Sequence, residues 1–134
     1  MKEKAELVRG WLRKAESDSL ALEVTLGAGA LDAACFHAQQ SAEKYLKAFL
    51  THQEIPFPYT HNLTKLVELC AGIDSEFRSL LPRVEALTPY AVRPRYDPYF
   101  SPNQETANQA RASAFTVRDF VLDRLPRNIL DVTR

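Results

Sequence analysis

The strongest periodic pattern in the chain lies between residues 32 and 51, where apolar side chains recur at helical spacing. These positions form one continuous stripe: Ala34, Ala38, Ala42, Tyr45 and Phe49, widened by Cys35, Leu46 and Leu50. A stripe of this width is typical of a helix that buries one face in a protein core. The segment is therefore predicted to be the central helix of the fold.

Polar residues on the same segment form a second stripe. His37, Gln40, Lys44 and Lys47 follow one another at i, i+3, i+7 and i+10, so a helix places them along one side. One interpretation is a polar site beside the core seam. The other is a solvated helix face with a histidine at its edge, and the spacing alone favours this second interpretation because such faces are common.

Other segments also show a helical period, and no segment of any length alternates as a strand does. Glycines end the first helix and a proline ends the last. The predicted helical segments are residues 3–26, 32–51, 63–70 and 103–125, with short elements at 76–81 and 83–87. Helices with short connections predict an all-α protein, an antiparallel up-and-down bundle of four to five helices.

Two polar residues of this predicted bundle allow two interpretations each. Asp18 falls inside the first helix, either as an exposed acid or as a group that orients a partner on the next helix. His61 comes just before the third helix. It is either a capping or packing residue, or a donor to an anion held at the N-terminus of that helix.

The segment 88–102 is unusually rich in prolines, tyrosines and arginines, with four, three and two of them respectively. That content is too aromatic for a disordered linker, so an ordered loop lying over the bundle is predicted. Arg93 and Arg95 stand beside aromatic residues, including Tyr96. Charge and stacking suit such a group to an anion or a nucleotide base, and the alternative is a pair of arginines that cap helix ends.

Length and composition predict one folded domain, residues 1–126, followed by a tail at 127–134 that frays or docks on a partner. Lys plus Arg equals Asp plus Glu at 17 each, which argues against a strongly basic nucleic-acid binder. Cys35 and Cys70 are expected to be buried, reduced thiols. The first residues do not resemble a signal peptide and no window approaches a membrane span, so a cytoplasmic location without membrane contact is expected.

Motifs for common chemistry are missing. The sequence contains no GxGxxG, Walker-type GK[ST], HExxH or GxSxG. No Glu-x-x-His pair of the kind found in carboxylate-bridged metal bundles occurs. No metal site or cofactor is therefore predicted, and catalysis has little support from the residues alone.

Three short stretches together resemble the HEPN domain family, the "higher eukaryotes and prokaryotes nucleotide-binding" domains. They are DAACFHAQQSAEKYLKAFL at 32–50, THNL at 60–63 and the pair Arg95-Tyr96. The resemblance implies a helical homodimer from a prokaryote that binds nucleotides or similar phosphorylated ligands. It also implies a minimal nucleotidyltransferase as partner in a toxin–antitoxin-like module. The family's polar positions fall on Asp18, His37, Gln40, Lys44, His61, Arg95 and Tyr96.

One branch of this family comprises metal-independent ribonucleases that carry an arginine followed, four to six residues later, by a histidine. This sequence lacks that pattern, since the arginine nearest before His37 is Arg13 and no histidine follows Arg95. Two alternatives to a ligand-binding module therefore stay open. One is an RNA-cleaving toxin that uses His37 or His61, and the other is a purely structural helical dimer in which buried polar groups fix helix register.

Overall fold

The computed structural model describes residues 2–132, and all regular structure within this range is helical. This confirms the predicted all-α bundle. The α-helices are α1 (Lys2–Gly27), α2 (Leu31–His52), α3 (Leu63–Ala71), α4 (Leu81–Leu87), α5 (Arg93–Tyr96), α6 (Gln104–Leu122) and α7 (Arg127–Val132), with 3-10 turns at Ser75–Leu80 and Thr88–Ala91.

Helices α1 and α2 form an antiparallel hairpin whose turn is built on one glycine. Gly29 has a φ of 82°, a left-handed conformation that costs a side-chain-bearing residue energy. Its N–H donates to the carbonyl of Leu26, and the N–H of Ala30 donates to the carbonyl of Thr25. These two bonds close the end of α1 in a Schellman motif, as the two glycines of the sequence predict.

Helix α2 lies at the centre and packs against both α1 and α6. Its predicted apolar stripe is buried throughout, and each member is at most 2% exposed. Helix α6 faces it with small residues at the predicted positions Ala107, Ala110 and Ala114, all of them buried. Small side chains let the two helices approach closely.

The segment 88–102 is ordered, but it is more helical than a loop. It contains the 3-10 turn Thr88–Ala91 and the short helix α5. A proline lies within the first two positions of each, Pro89 and Pro94, as Pro82 does in α4. Proline has no N–H to donate and a φ suited to a helix start, so prolines that exclude long helices can still begin short ones.

Helix α6 begins after Asn103, whose side chain accepts a hydrogen bond from the N–H of Thr106 at 2.8 Å. It ends at Leu122, three residues before the predicted end. The described part of the tail forms α7 and packs on its own chain: Ile129 is buried and its carbonyl accepts a bond from Arg9. Of the predicted tail, residues 133 and 134 lie outside the described residues.

Both cysteines are buried and unpaired, as predicted. Burial raises the pKa of Cys35 to about 11 and that of Cys70 to about 12, so both thiols stay protonated at neutral pH. None of the helices between residues 2 and 132 combines the length and the apolar content that crossing a bilayer requires.

Candidate functional site

Asp18 is the centre of a three-residue ionic cluster between α1 and α2. Its side chain is nearly buried, and its two carboxylate oxygens contact two different groups of α2. Oδ1 lies 2.9 Å from Nδ1 of His37, and Oδ2 lies 2.5 Å from Nζ of Lys44. Asp18 therefore orients partners on the next helix, the second of the two roles that its mid-helix position allowed.

The cluster follows from helix geometry. His37 and Lys44 are seven residues apart, so two turns of α2 place them one above the other. Helix α1 runs antiparallel to α2 and places the carboxylate of Asp18 against both side chains. The side chains of His37 and Lys44 keep 26% and 22% of their exposure, whereas that of Asp18 keeps 11%. The acid is thus inside, and the two donors reach the surface.

The contact with Asp18 also fixes the tautomer of His37. An ionised carboxylate can only accept, so Nδ1 of the ring must carry the proton that lies between the two groups. Nε2 of His37 is then free to act towards the outside, as an acceptor when the ring is neutral or as a donor when it is charged. Phe36 packs edge-on against the same ring, with a centroid distance of 5.2 Å.

Gln40 lies beside this cluster in sequence and belongs to a second polar network. It lies between His37 and Lys44 along α2, and its side-chain amide donates to Oε1 of Gln39 at 2.7 Å. Gln39 is fully buried. The amide nitrogen of Gln40 therefore belongs to an internal hydrogen-bond chain, although the side chain as a whole is partly exposed.

The second network is centred on Glu43, a buried acid that the sequence interpretation missed. Oε1 of Glu43 accepts from Gln39 at 3.1 Å and lies 2.8 Å from Nδ1 of His61, and Oε2 accepts from Lys47 at 3.0 Å. Gln39 also donates to the backbone carbonyl of His61. In sequence, Gln39, Glu43 and Lys47 follow at i+4 spacing, which also describes an ordinary solvated ion pair.

Lys47 belongs to this internal network. Its side chain is 7% exposed, and its ammonium lies 5.4, 5.7 and 5.9 Å from the ring centroids of Trp11, Phe57 and Tyr59. Cation–π contacts and the Glu43 carboxylate thus satisfy the charge within the chain. The polar stripe of α2 divides into a partly exposed part, His37, Gln40 and Lys44, and an enclosed part to which Lys47 belongs.

Arg95 lies on the same side of the bundle as the exposed part of that stripe. Its guanidinium is 4.9 Å from the ring centroid of Phe36, the residue next to His37, and 5.0 Å from that of Tyr96. The same group donates to the backbone carbonyl of Ala91, which holds it in place. No carboxylate among the described side chains of residues 3–130 forms an ion pair with Arg95.

The other two candidates on this segment are arranged differently. Arg93 lies 3.5 Å from Asp97 and stacks on Phe100 at 4.8 Å. Its charge is therefore partly neutralised by a neighbour on its own segment. The ring of Tyr96 is 71% exposed and covers one side of Arg95. Arg95 and Tyr96 thus form an exposed pair, and Arg95 contacts Phe36, the residue before His37. Arg93 lies beside them.

Residues 8–125 of the chain match the HEPN domain family. The chain belongs to this family. Two solved structures share the fold. TT1696 from Thermus thermophilus has a TM-score of 0.74 and 24% identity over 88% of this chain and 98% of that one. ST0689, described as an archaeal HEPN homologue, has a TM-score of 0.70 and 23% identity over 87% and 96%. A search of curated proteins gave no match.

In this HEPN domain the predicted residues thus fall into two groups. Asp18, His37, Gln40 and Lys44 share one partly exposed edge with Arg95 and Tyr96 nearby, whereas Lys47 and His61 join the network of Glu43. Lys44 is neutralised by Asp18, so the unpaired charge of Arg95 gives the edge a positive excess. Such an edge offers hydrogen-bond donors to an anion and an aromatic ring on which a flat group can stack. Among the side chains that the structure describes, residues 3–130, no three of His, Cys, Asp or Glu are grouped closely enough to hold a metal ion.

Proposed function

We propose that this HEPN domain is a cytoplasmic binding module for a nucleotide or a similar phosphorylated ligand, at the edge formed by His37, Gln40, Lys44 and Arg95. The observation that supports it most is the position of Arg95. Its guanidinium is held over Phe36, beside the ring of His37, without a carboxylate partner among the described residues.

The chemistry of the edge suits a phosphate and a flat base. Arg95 supplies the unpaired cation, and the ammonium of Lys44 keeps N–H donors beyond the one that contacts Asp18. The amide of Gln40 can also donate a hydrogen bond, as can Nε2 of His37 when the ring is charged. Asp18 holds His37 and Lys44 in place, which reduces the entropy lost on binding. The exposed ring of Tyr96 next to Arg95 offers a surface on which a base can stack.

Isothermal titration with ATP and GTP tests this proposal. Lys44→Met and Arg95→Gln each remove one cation, and each should weaken binding roughly tenfold or more because a charge-assisted hydrogen bond is lost. Lys65→Met and Arg83→Gln are matched controls at exposed positions of α3 and α4, and they should bind like the wild type. A wild-type protein that gives no heat with either nucleotide would refute the proposal.

The proposed module works as a homodimer and partners a minimal nucleotidyltransferase in a two-component, toxin–antitoxin-like system of a prokaryote. Membership of the HEPN family is what supports this part. Sedimentation equilibrium should give twice the mass of the chain. Co-expression with the product of the neighbouring gene should give a stable complex when that product is a nucleotidyltransferase, and a monomer that binds no such enzyme would contradict this assembly.

The Asp18–His37 pair favours a second function, metal-independent cleavage of RNA. A carboxylate on Nδ1 leaves Nε2 able to take a proton, which is what a general base in a ribonuclease must do. The Arg-x4-6-His pattern of ribonuclease members is missing, so this function ranks below ligand binding. Purified protein incubated with tRNA and mRNA in a chelator should then cleave RNA only while His37 is intact. Cleavage that survives His37→Gln would come from a contaminant.

A further inference from the structure

A cavity of about 520 Å³ lies where α7 meets α1 and the end of α2, and it shares no lining residue with the edge around Asp18. No acidic side chain of the described residues lines it, and each of its polar side chains can donate a hydrogen bond. These side chains are Lys4, Arg9, His52 and Asn128. A cleft lined by one sign of charge concentrates ions of the opposite sign, so this cavity favours an anion.

His52 supplies a nitrogen that a ligand can reach. Nδ1 of its ring is buried and has no hydrogen-bond partner among the described residues. Nε2 has no such partner either, but it is not one of the inaccessible unpaired atoms, and the ring lines the cavity. Buried N–H groups without a partner are rarer than buried acceptors without one, so the neutral ring is assigned its proton on Nε2. The accessible nitrogen is therefore a donor.

Arg9 has donors that its own chain does not use. Its Nε donates to the carbonyl of Ile129 at 3.4 Å, and one terminal nitrogen donates to the carbonyl of Asn128 at 3.3 Å. A guanidinium has five N–H groups, so three remain for a ligand. The two bonds hold the group beside α7, and no carboxylate among the described side chains of residues 3–130 forms an ion pair with it.

Lys4 is the second cation of the cavity. Its ammonium lies 3.9 Å from the carboxylate of Glu54, whose side chain is 74% exposed. A pair this exposed contributes little free energy, so the ammonium can turn to a ligand. Burial lowers the pKa of His52, the charge of Lys4 lowers it further, and the charge of Glu54 acts to raise it. Lys4 is therefore near enough to the ring to share a ligand with it.

The remainder of the lining leaves room for a carbon body. Ala5, Pro126 and Ile129 provide apolar surface beside the cations. The last carbonyls of α2 accept hydrogen bonds from the N–H groups of residues 53–55, so fewer free acceptors are left to repel an anion. The volume is that of an ordinary small-molecule pocket and exceeds what a single inorganic anion needs.

From this arrangement we infer that the HEPN domain has a second site, which binds a small phosphate monoester. Its phosphate contacts Lys4, Arg9 and His52, and its carbon body packs beside Ile129. A phosphate monoester carries close to two negative charges at neutral pH and has three acceptor oxygens, which suits several donors that surround one group. The site does not depend on nucleotide binding at the edge around Asp18, since the two share no residue.

NMR of the histidine rings tests the inference, because the chain has only three histidines. The probes are glycerol 3-phosphate, inorganic phosphate and acetate at constant ionic strength. Glycerol 3-phosphate should shift the ring signals of His52 and raise its pKa, since a nearby dianion favours the charged ring. Acetate should do neither. Tighter binding of inorganic phosphate would overturn the assignment to an ester, and an equal response to acetate would overturn the site.

The same spectra separate this site from the edge around Asp18. A response of His37 reports on that edge, and only the response of His52 reports on the cavity. Arg95→Gln changes the edge and should leave the response of His52 to glycerol 3-phosphate unchanged. Loss of that response in Arg95→Gln would overturn the second site.

Lys4→Met and Arg9→Gln are the deciding variants. Each removes one cation and should weaken binding of glycerol 3-phosphate roughly tenfold. Lys14→Met removes an exposed lysine of α1 that does not line the cavity, and it should bind like the wild type. Because Arg9 also holds α7, Lys4→Met separates binding from folding, and its melting temperature should stay close to that of the wild type. Unchanged His52 signals in the wild type, or a Lys4→Met protein that binds as well as the wild type, would overturn the inference.

Discussion

Replacing Glu43 by glutamine tests whether the buried network holds α1, α2 and the segment before α3 together. Glutamine has the same shape and can still accept a hydrogen bond, but it carries no charge. Lys47 would then keep a buried ammonium group without its carboxylate, at 7% exposure. The ring of His61 would also lose the acid that it contacts at 2.8 Å.

The expected loss is large relative to the stability of a domain. Removing one partner of a buried ion pair costs about 3–5 kcal/mol, because the other charge stays buried and uncompensated. Three aromatic rings around Lys47 reduce this cost somewhat, so about 3 kcal/mol is expected here. A single domain has roughly 5–15 kcal/mol of stability in total, so the variant should still fold.

Urea unfolding of four proteins measures the effect: wild type, Glu43→Gln, Lys47→Met and the double variant. The double variant removes both charges, and replacing a buried pair by uncharged groups is often close to neutral. Its loss should therefore be smaller than the sum of the two single losses by about 1–3 kcal/mol, the coupling typical of groups in contact.

A Glu43→Gln protein within about 0.5 kcal/mol of wild type would refute this reasoning, since that is the scale of an ordinary surface substitution. Strictly additive losses in the cycle would refute the pairing of Glu43 with Lys47 in particular. Glu85→Gln changes an exposed glutamate of α4 that forms no ion pair with another described residue, so it is the matched control and should be neutral.

Three further predictions concern local structure and the thiols. Asn103→Ala removes the N-cap of α6 and should lower the free energy of unfolding by about 1 kcal/mol in urea denaturation. Gly29→Ala should cost about 1 kcal/mol or more because the φ of 82° disfavours a side chain, whereas Gly27→Ala, at a helical position with open space, should be neutral or stabilising. Stability should fall as the pH rises from 9 to about 11, since unfolded thiols ionise near 9.0 while the folded Cys35 and Cys70 stay protonated; the loss should be smaller in a variant with alanine at both cysteines.

The amino-acid sequence determined the long helices of this protein and their order, because the signals involved are local. The apolar stripe of α2 defines its buried face wherever the helix packs. Gly29 ends the first helix and Asn103 caps the last long helix through contacts that span only a few residues. The same reasoning singled out Asp18 and His37 but left two interpretations for each, because an exposed acid or a histidine on a solvated face fits the local pattern equally well.

The tertiary structure decided which polar groups meet. Lys44 and Lys47 are on adjoining parts of one helix, yet Asp18 of α1 contacts the first, whereas Glu43 and a cage of rings surround the second. A local sequence pattern cannot predict that Lys44 is partly exposed and Lys47 enclosed, because the i+4 pair of Glu43 and Lys47 is equally suited to solvent. The difference arises from which neighbouring segment covers each turn of α2. The contact of Arg95 with Phe36 likewise depends on how two segments far apart in the chain pack together.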